Sequence, residues 1–220
     1  MDEQETRPVG TVELSLVAKV IRNARIIART SFSTYRMSRA ACEYGACQKW
    51  IELTGLAHLV RKAKPLRTME IGIYQGGTIA LWAQLMPSNG NLIGVDFKLS
   101  GSIENRIRAK MKTGQSLYLL EADSHTIETR NRLFGIIGDN KLDLLFIDGD
   151  HSYEGITRDF KDYCPLVRPG GIVAFHDIVP DYTSPFGVHQ FWREIKTHYP
   201  HCEFIEDSAQ DGCGIGVLHF

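Results

Sequence analysis

The feature that most constrains this chain is a regular alternation of short apolar runs with helical segments between Thr68 and Phe175. Thr68 to Ile73, Asn91 to Phe97, Leu117 to Glu121, Leu142 to Asp148 and Gly171 to Phe175 read as strands. The core of the fourth, Leu144-Leu145-Phe146-Ile147, is apolar at every position, so both of its faces need cover. Between the strands, Thr78 to Leu85, Ile103 to Met111, Thr126 to Ile137 and Tyr153 to Cys164 carry helical spacing. Such an order predicts a parallel sheet with helices on both faces and right-handed crossovers. The end departs from that rhythm. Val188, Phe191, Trp192 and Ile195 mark one more helix, with Phe191 and Trp192 as core. Glu203 to Glu206 and Gly214 to His219 follow as strands joined by a loop too short for a parallel crossover, so they must pair antiparallel. The expected class is α/β, a seven-stranded, mainly parallel sheet closed by an antiparallel C-terminal hairpin.

Two helices are expected before the first strand. Leu16, Val17, Val20, Ala24 and Ile27 follow helical spacing within Val12 to Ile27. After a polar stretch at Thr30 to Ser38, Trp50, Leu53, Leu56, Leu59 and Val60 define the second, which stops near Lys64-Pro65. Residues 1–64 are therefore read as helices forming a lid or dimer surface on a cofactor-binding domain at 65–220, the whole being one structural domain. A length of 220 residues with 43% hydrophobic content suffices for a single core. Lys and Arg number 25 against 26 Asp and Glu, which speaks against nucleic acid or an anionic membrane as partner and for a small molecule. A homo-oligomer stays open. Five cysteines without a C-x-x-C pair are read as free thiols. The start Met1-Asp2-Glu3 and the lack of a membrane-length apolar run give a cytoplasmic expectation.

The segment Glu70 to Thr78 joins the first strand to its helix, the place where open α/β sheets bind ligands. A pyrophosphate-binding G-x-G-x-x-G needs a second glycine where this chain has Tyr74, which disfavours a dinucleotide and an NAD-linked oxidoreductase. S-adenosylmethionine carries no phosphate and needs only a tight turn, which Gly72, Gly76 and Gly77 can make. Asp96, at the end of the second strand, is placed to accept from both ribose hydroxyls, and Asp123-Ser124, at the end of the third, to meet the adenine edge. The expected cofactor-binding set is Glu70, Gly72, Tyr74, Gly76, Gly77, Thr78, Asp96, Asp123, Ser124 and Asp148. The alternative is a loop tightened only for helix packing.

Strand four ends in Asp148-Gly149-Asp150-His151 and strand five in Phe175-His176-Asp177. Neighbouring strands would bring Asp148, His176 and Asp177 together, a donor set suited to a divalent ion, with magnesium and manganese both open. His151, three residues after Asp148, is the general-base candidate. Capping and packing roles for these side chains are the structural alternative.

The motifs E-I-G-x-Y-x-G-G-T, F-I-D-G-D-H-S-Y-E-G, P-G-G-x-x-x-F-H-D and G-I-G-V-L resemble those of the family 24 class I methyltransferases, from about Trp50 onward. That group is similar to metal-dependent O-methyltransferases of antibiotic sugars, to cephalosporin hydroxylase-type proteins and, more distantly, to catechol O-methyltransferase. The resemblance implies a Rossmann-like class I fold and adenosylmethionine-dependent O-methylation of a small hydroxylated metabolite, as in natural-product biosynthesis. It implies metal ligation by Asp148 and Asp177 and a base at His151, with Asp148 and His151 as the catalytic pair. His176 departs from the pattern, since metal-using relatives usually have an acidic residue there. A cofactor-binding or interaction protein without methyl transfer is the competing class.

Overall fold

The computed structural model describes residues 30–184 and 186–220; the helical pattern expected at 12–27 lies outside them. The elements run α1 (Phe32–Glu43), α2 (Trp50–Ala63), β1 (Arg67–Ile71), α3 (Gly77–Leu85), β2 (Asn91–Asp96), α4 (Ile103–Arg108) and β3 (Ser116–Glu121). They continue as α5 (Ile127–Ile137), β4 (Leu142–Ile147), α6 (Tyr153–Tyr163), β5 (Val167–His176), α7 (Val188–Ile195), β6 (His201–Phe204) and β7 (Ile215–His219). The sheet has seven strands in the order β3-β2-β1-β4-β5-β7-β6. β1 to β5 pair in parallel, and β7 enters antiparallel between β5 and β6.

β4 sits at the centre, and its alternate side chains separate the two cores. Leu144 and Phe146 face a cluster with Leu53, Leu56, Trp82 and Val217, while Leu145 and Ile147 face one with Leu133, Phe160, Phe175 and Trp192. Burying both faces of one strand is what its unbroken apolar run requires. Phe191 and Trp192 are core, as their helical spacing indicated.

One expectation is corrected at the N-terminal side: the polar stretch at Thr30 to Ser38 is the first half of α1. Ser31 caps the helix by accepting from the Thr34 backbone N–H, and the buried face consists of Thr34, Ser38 and Ala41. Those residues have the 4-plus-3 spacing of a helix face, but they are small or polar and leave no hydrophobic periodicity. Ser38 satisfies its hydroxyl on the Thr34 carbonyl at 3.0 Å, so the polar face can be buried.

α2 packs beneath the hairpin. Gly55 lies under the Phe204 ring, where a Cβ would come within 2.2 Å of it. The fully buried Glu52 reaches the long β6–β7 connection, accepting from Glu206 N–H at 3.0 Å, Gln210 Nε2 at 2.8 Å and Gly214 N–H at 2.9 Å. A carboxylate this deep requires such donors. Through them α2 fixes the loop that borders the carboxyl edge of the sheet. Among the described residues no helix is long and apolar enough to cross a membrane.

Candidate active site

Parallel register sets the site. Ile71 is level with Val95 and with Ile147, and Ile147 with Phe175. The next residues, Gly72, Asp96, Asp148 and His176, therefore form one row along the carboxyl edge. The strand order reverses between β1 and β4, and a cleft of about 1090 Å³ opens there. Gly72 is required at this point: with φ of 87°, a Cβ would lie 2.0 Å from the Asp148 carbonyl oxygen.

On the β1–β3 side, Gly72, Tyr74, Thr78, Asp96, Asp123 and Ser124 all line the cleft. Tyr74 takes a left-handed conformation, φ 50°, and its ring is largely exposed. Asp96 Oδ2 accepts from Ile73 and Tyr74 N–H at 2.7 and 2.8 Å, and Oδ1 from Lys98 N–H at 2.9 Å. A carboxylate has about four acceptor sites, so roughly one remains. Simultaneous acceptance from both ribose hydroxyls, as expected from the sequence, needs more than this arrangement leaves. Ser124 Oγ donates to Asp159 Oδ1 at 2.7 Å, and Asp123 accepts from the His125 N–H at 2.8 Å.

Three residues of the expected binding set stand back from the cleft. Gly76 packs against Ile103, and Gly77 leaves room for the chain at 41–46, since a Cβ there would lie 2.1 Å from the Ala46 nitrogen. Glu70 is fully buried beneath the floor, and neither carboxyl oxygen has a hydrogen-bond partner. Burial, and then repulsion from Asp148, pushes its pKa well above the carboxylate range, with Trp82 opposing and Asp96 adding a smaller push upward.

The β4–β5 side is built from titratable side chains. His151 Nε2 is 3.4 Å from Asp148 Oδ1, and its Nδ1 is 3.4 Å from Asp177 Oδ2. His176 Nδ1 lies 3.3 Å from the same two oxygens. The sequence-predicted group of Asp148, His151, His176 and Asp177 is thus one cluster. His151 reaches this cluster from a loop and not from α6. Ser152 caps α6, accepting from Gly155 N–H, so His151 precedes the helix in a loop held by Asp150 accepting from Ser152 N–H. The Phe186 ring closes on His151 edge-on, with centroids 4.6 Å apart.

Electrostatics follow from that packing. Burial opposes ionisation of Asp148, but His176 and then His151 outweigh it and lower its pKa. The bond to Asp148 raises His151 against an opposing effect of burial. Burial works against charge on His176 as well, yet Asp148, then Asp177 and Cys213, hold its pKa well above the imidazole range.

Sequence reasoning missed part of the wall. Gln48 is buried, donates through Nε2 to Asp148 Oδ2 and accepts at Oε1 from Thr78 Oγ1 at 3.3 Å. Cys47, Asp181, Asp211 and Cys213 also line the cleft. Only the glycines on both sides of Cys213 hinted at a tight turn there.

Residues 69–178, from β1 to just beyond β5, match the model of a methyltransferase-domain family. This chain belongs to that methyltransferase family. An uncharacterized protein of Acanthamoeba polyphaga mimivirus, R132, is 33% identical to this chain over 139 residues, 60% of each chain. The chain thus spans about 60% of the length of that curated relative. Among solved structures it is similar to the O-methyltransferase TomG of Streptomyces achromogenes, involved in tomaymycin synthesis and solved with SAM. The TM-score is 0.58 at 17% identity, covering 86% of this chain and 90% of that one. It is also similar to the MycE methyltransferase of the mycinamycin pathway, solved with Mg and SAH. There the TM-score is 0.51 at 20% identity, over 66% of this chain and 39% of that one. At these identities the likeness is one of fold, and the seven-stranded sheet closed by an antiparallel C-terminal hairpin expected from the sequence is the one observed.

Proposed function

We propose that this methyltransferase transfers the methyl group of S-adenosylmethionine to a hydroxyl oxygen of a small molecule, with a divalent cation, magnesium or manganese, at the β4–β5 edge. The observation that carries this reading is the convergence of Asp148, His151, His176 and Asp177 on one wall of a cleft whose other wall is the Gly72 turn and Asp96. A fixed turn at a switch point suits the nucleoside, and the titratable wall suits the reacting oxygen. Hydroxyl groups of natural products are the substrate class we favour, two structural neighbours being methyltransferases of tomaymycin synthesis and of the mycinamycin pathway.

The donor set fits a cation. One ligand atom each from Asp148, His151 and Asp177 lies within 4.8 Å of the others, and His176 Nδ1 lies 3.3 Å from both Asp148 Oδ1 and Asp177 Oδ2. Asp148, Asp177 and His176 would hold the ion, which when bound stabilises negative charge on a substrate hydroxyl. The residues of the chain do the remainder. Asp96 and the turn orient the cofactor, Asp123 and Ser124 border its adenine end, and Phe186 limits water at His151. In the transfer a C–O bond forms as the S–CH3 bond breaks, the sulfonium becomes a neutral thioether, and His151 takes the hydroxyl proton. Proximity and in-line alignment supply much of the acceleration in such a reaction.

The test is a stability screen followed by transfer from methyl-labelled cofactor to a panel of hydroxylated small molecules. Adenosylhomocysteine should raise the melting temperature, because it binds only the native state. A rise with NAD and none with adenosylhomocysteine would overturn the reading. Loss of transfer on chelation, restored by magnesium or manganese, is the expected result for the cation.

A further inference from the structure

Asp177 belongs to two donor groups. The first is oxygen-rich, with Asp148 and His151; the second joins Asp177 to His176 and Cys213, whose ligand atoms also lie within 4.8 Å of one another. We propose that His176, Asp177 and Cys213 form a thiolate-containing site that seats a softer divalent ion of the zinc type in preference to magnesium. The inference rests on the β4–β5 edge being a cation site and departs from it in naming a sulfur ligand and a different class of ion.

Three observations carry it. His176 is buried to 6% exposure; its Nδ1 faces the two carboxylates, while Nε2 makes no hydrogen bond. A buried ring nitrogen without a partner is costly unless something occupies it. Second, the turn that carries Cys213 is held against the cluster from two sides. Val179 N–H donates to the Cys213 carbonyl at 2.9 Å and Gly212 N–H to the Pro180 carbonyl at 2.8 Å, while Glu52 accepts from Gly214 N–H. Third, the chemistry is selective. Thiolate with imidazole and one carboxylate is a set that soft and borderline ions prefer, and three protein ligands leave the fourth position of a tetrahedral ion open. Magnesium demands a near-octahedral shell of hard oxygens and gains little from sulfur.

The experiment loads the full chain with cobalt(II), a spectroscopic stand-in for zinc, and records its absorption. A sulfur-to-cobalt charge-transfer band in the near ultraviolet is expected in the wild type, absent in Cys213→Ser and retained in Cys47→Ser, the other cleft thiol. By calorimetry, Cys213→Ser should lose at least about 10-fold in zinc affinity, since even outer partners of a ligand are worth about 10–100-fold. Its manganese affinity should be unchanged. A wild-type cobalt spectrum without the band overturns the proposal whatever the variant does, as does a band that survives in Cys213→Ser. Adenosylhomocysteine calorimetry on the same samples separates the two readings. Cofactor binding without the sulfur band leaves methyl transfer standing and removes only the thiolate site.

Discussion

Asp96 and Asp148 stand on the same row of the sheet edge, one beside each flank of β1, yet they are used differently. Asp96 is surrounded by backbone: three amides of the turn and of the following loop donate to it. Asp148 is surrounded by side chains, two imidazoles and the Gln48 amide. Backbone donors cannot change protonation state and move only with the chain, so Asp96 is part of the turn as much as of a binding site. Imidazoles can change protonation state, and Asp148 raises the pKa of both, so the wall around it can take up or release a proton as the turn around Asp96 cannot. Strand-end position is shared by both residues. Partner chemistry divides the cleft into a fixed half and a responsive half.

The division breaks most visibly at His151. His151→Ala should lower turnover by about 10²–10⁴-fold, the usual worth of a general base, while adenosylhomocysteine affinity measured by calorimetry stays near that of the wild type. The wild-type rate should rise with pH as His151 loses its proton. That rise should be absent in the variant. A variant with near-normal turnover would place the base elsewhere, with Asp150 and Tyr153 next to test.

The responsive half also depends on a residue far from it in sequence. Glu52→Ala removes the acceptor for three donors in the 206–214 connection, two of them backbone N–H groups. Leaving buried donors unpaired should cost about 3 kcal/mol, read as a lower urea midpoint. Loosening of the Cys213 turn should accompany it, seen as faster alkylation of that thiol, whereas the β1–β3 side should keep its affinity for adenosylhomocysteine. An unshifted midpoint would show that Glu52 is not the anchor the geometry indicates.

How much of this could be read from the chain follows the same division. The sheet and the row at its edge were legible because apolar runs and parallel register are local properties: Asp148 beside His176 follows from β4 lying next to β5. What wraps the sheet was not. α1 buries Thr34, Ser38 and Ala41, a face without hydrophobic contrast, so it read as a polar stretch. Gln48 enters the site only because Gly77 lets the 41–46 chain cross the start of α3. Glu70, Gly76 and Gly77 were placed in the cofactor set by proximity in sequence, but adjacency along a turn does not decide which side of it a residue faces. Cys213 is set in place by the bond of the neighbouring Gly214 N–H to Glu52, more than a hundred residues earlier, and no local pattern encodes that.

On the fixed half, Asp96→Ala should weaken adenosylhomocysteine by about 1–3 kcal/mol, the range for hydrogen bonds to a charged acceptor. Cobalt binding at the β4–β5 edge should be unaffected, which calorimetry on the same sample would establish. With only one acceptor site left for a ribose hydroxyl, the lower end of the range is expected from direct contact, and a larger loss would mean the turn itself has relaxed. Unchanged affinity would remove Asp96 from the binding site and leave it a purely architectural residue.

Asp159 tests whether the contrast between the halves is complete, because it lies on the cofactor side and yet has side-chain partners. It is fully buried on α6, accepts from Ser124 Oγ, and has His125 Nε2 3.2 Å from the same oxygen, while Oδ2 has no partner. Burial pushes its pKa from 3.8 up to about 6, against the opposing effects of Ser124 and then His125. The folded state therefore keeps its proton over a pH range where the unfolded chain has lost it. That contribution to stability is complete below about pH 4 and is lost as pH rises through about 6. Asp159→Asn keeps the shape and an acceptor for Ser124 but cannot ionise. Its urea midpoint should gain on that of the wild type as pH rises from about 4 to about 6, and the difference should be constant above that range. The effect is a slope in stability rather than a loss of function, hence the smallest of the four. A difference that does not vary with pH would mean Asp159 is ionised throughout, balanced by His125, and would leave the titrating groups of this cleft confined to the β4–β5 wall.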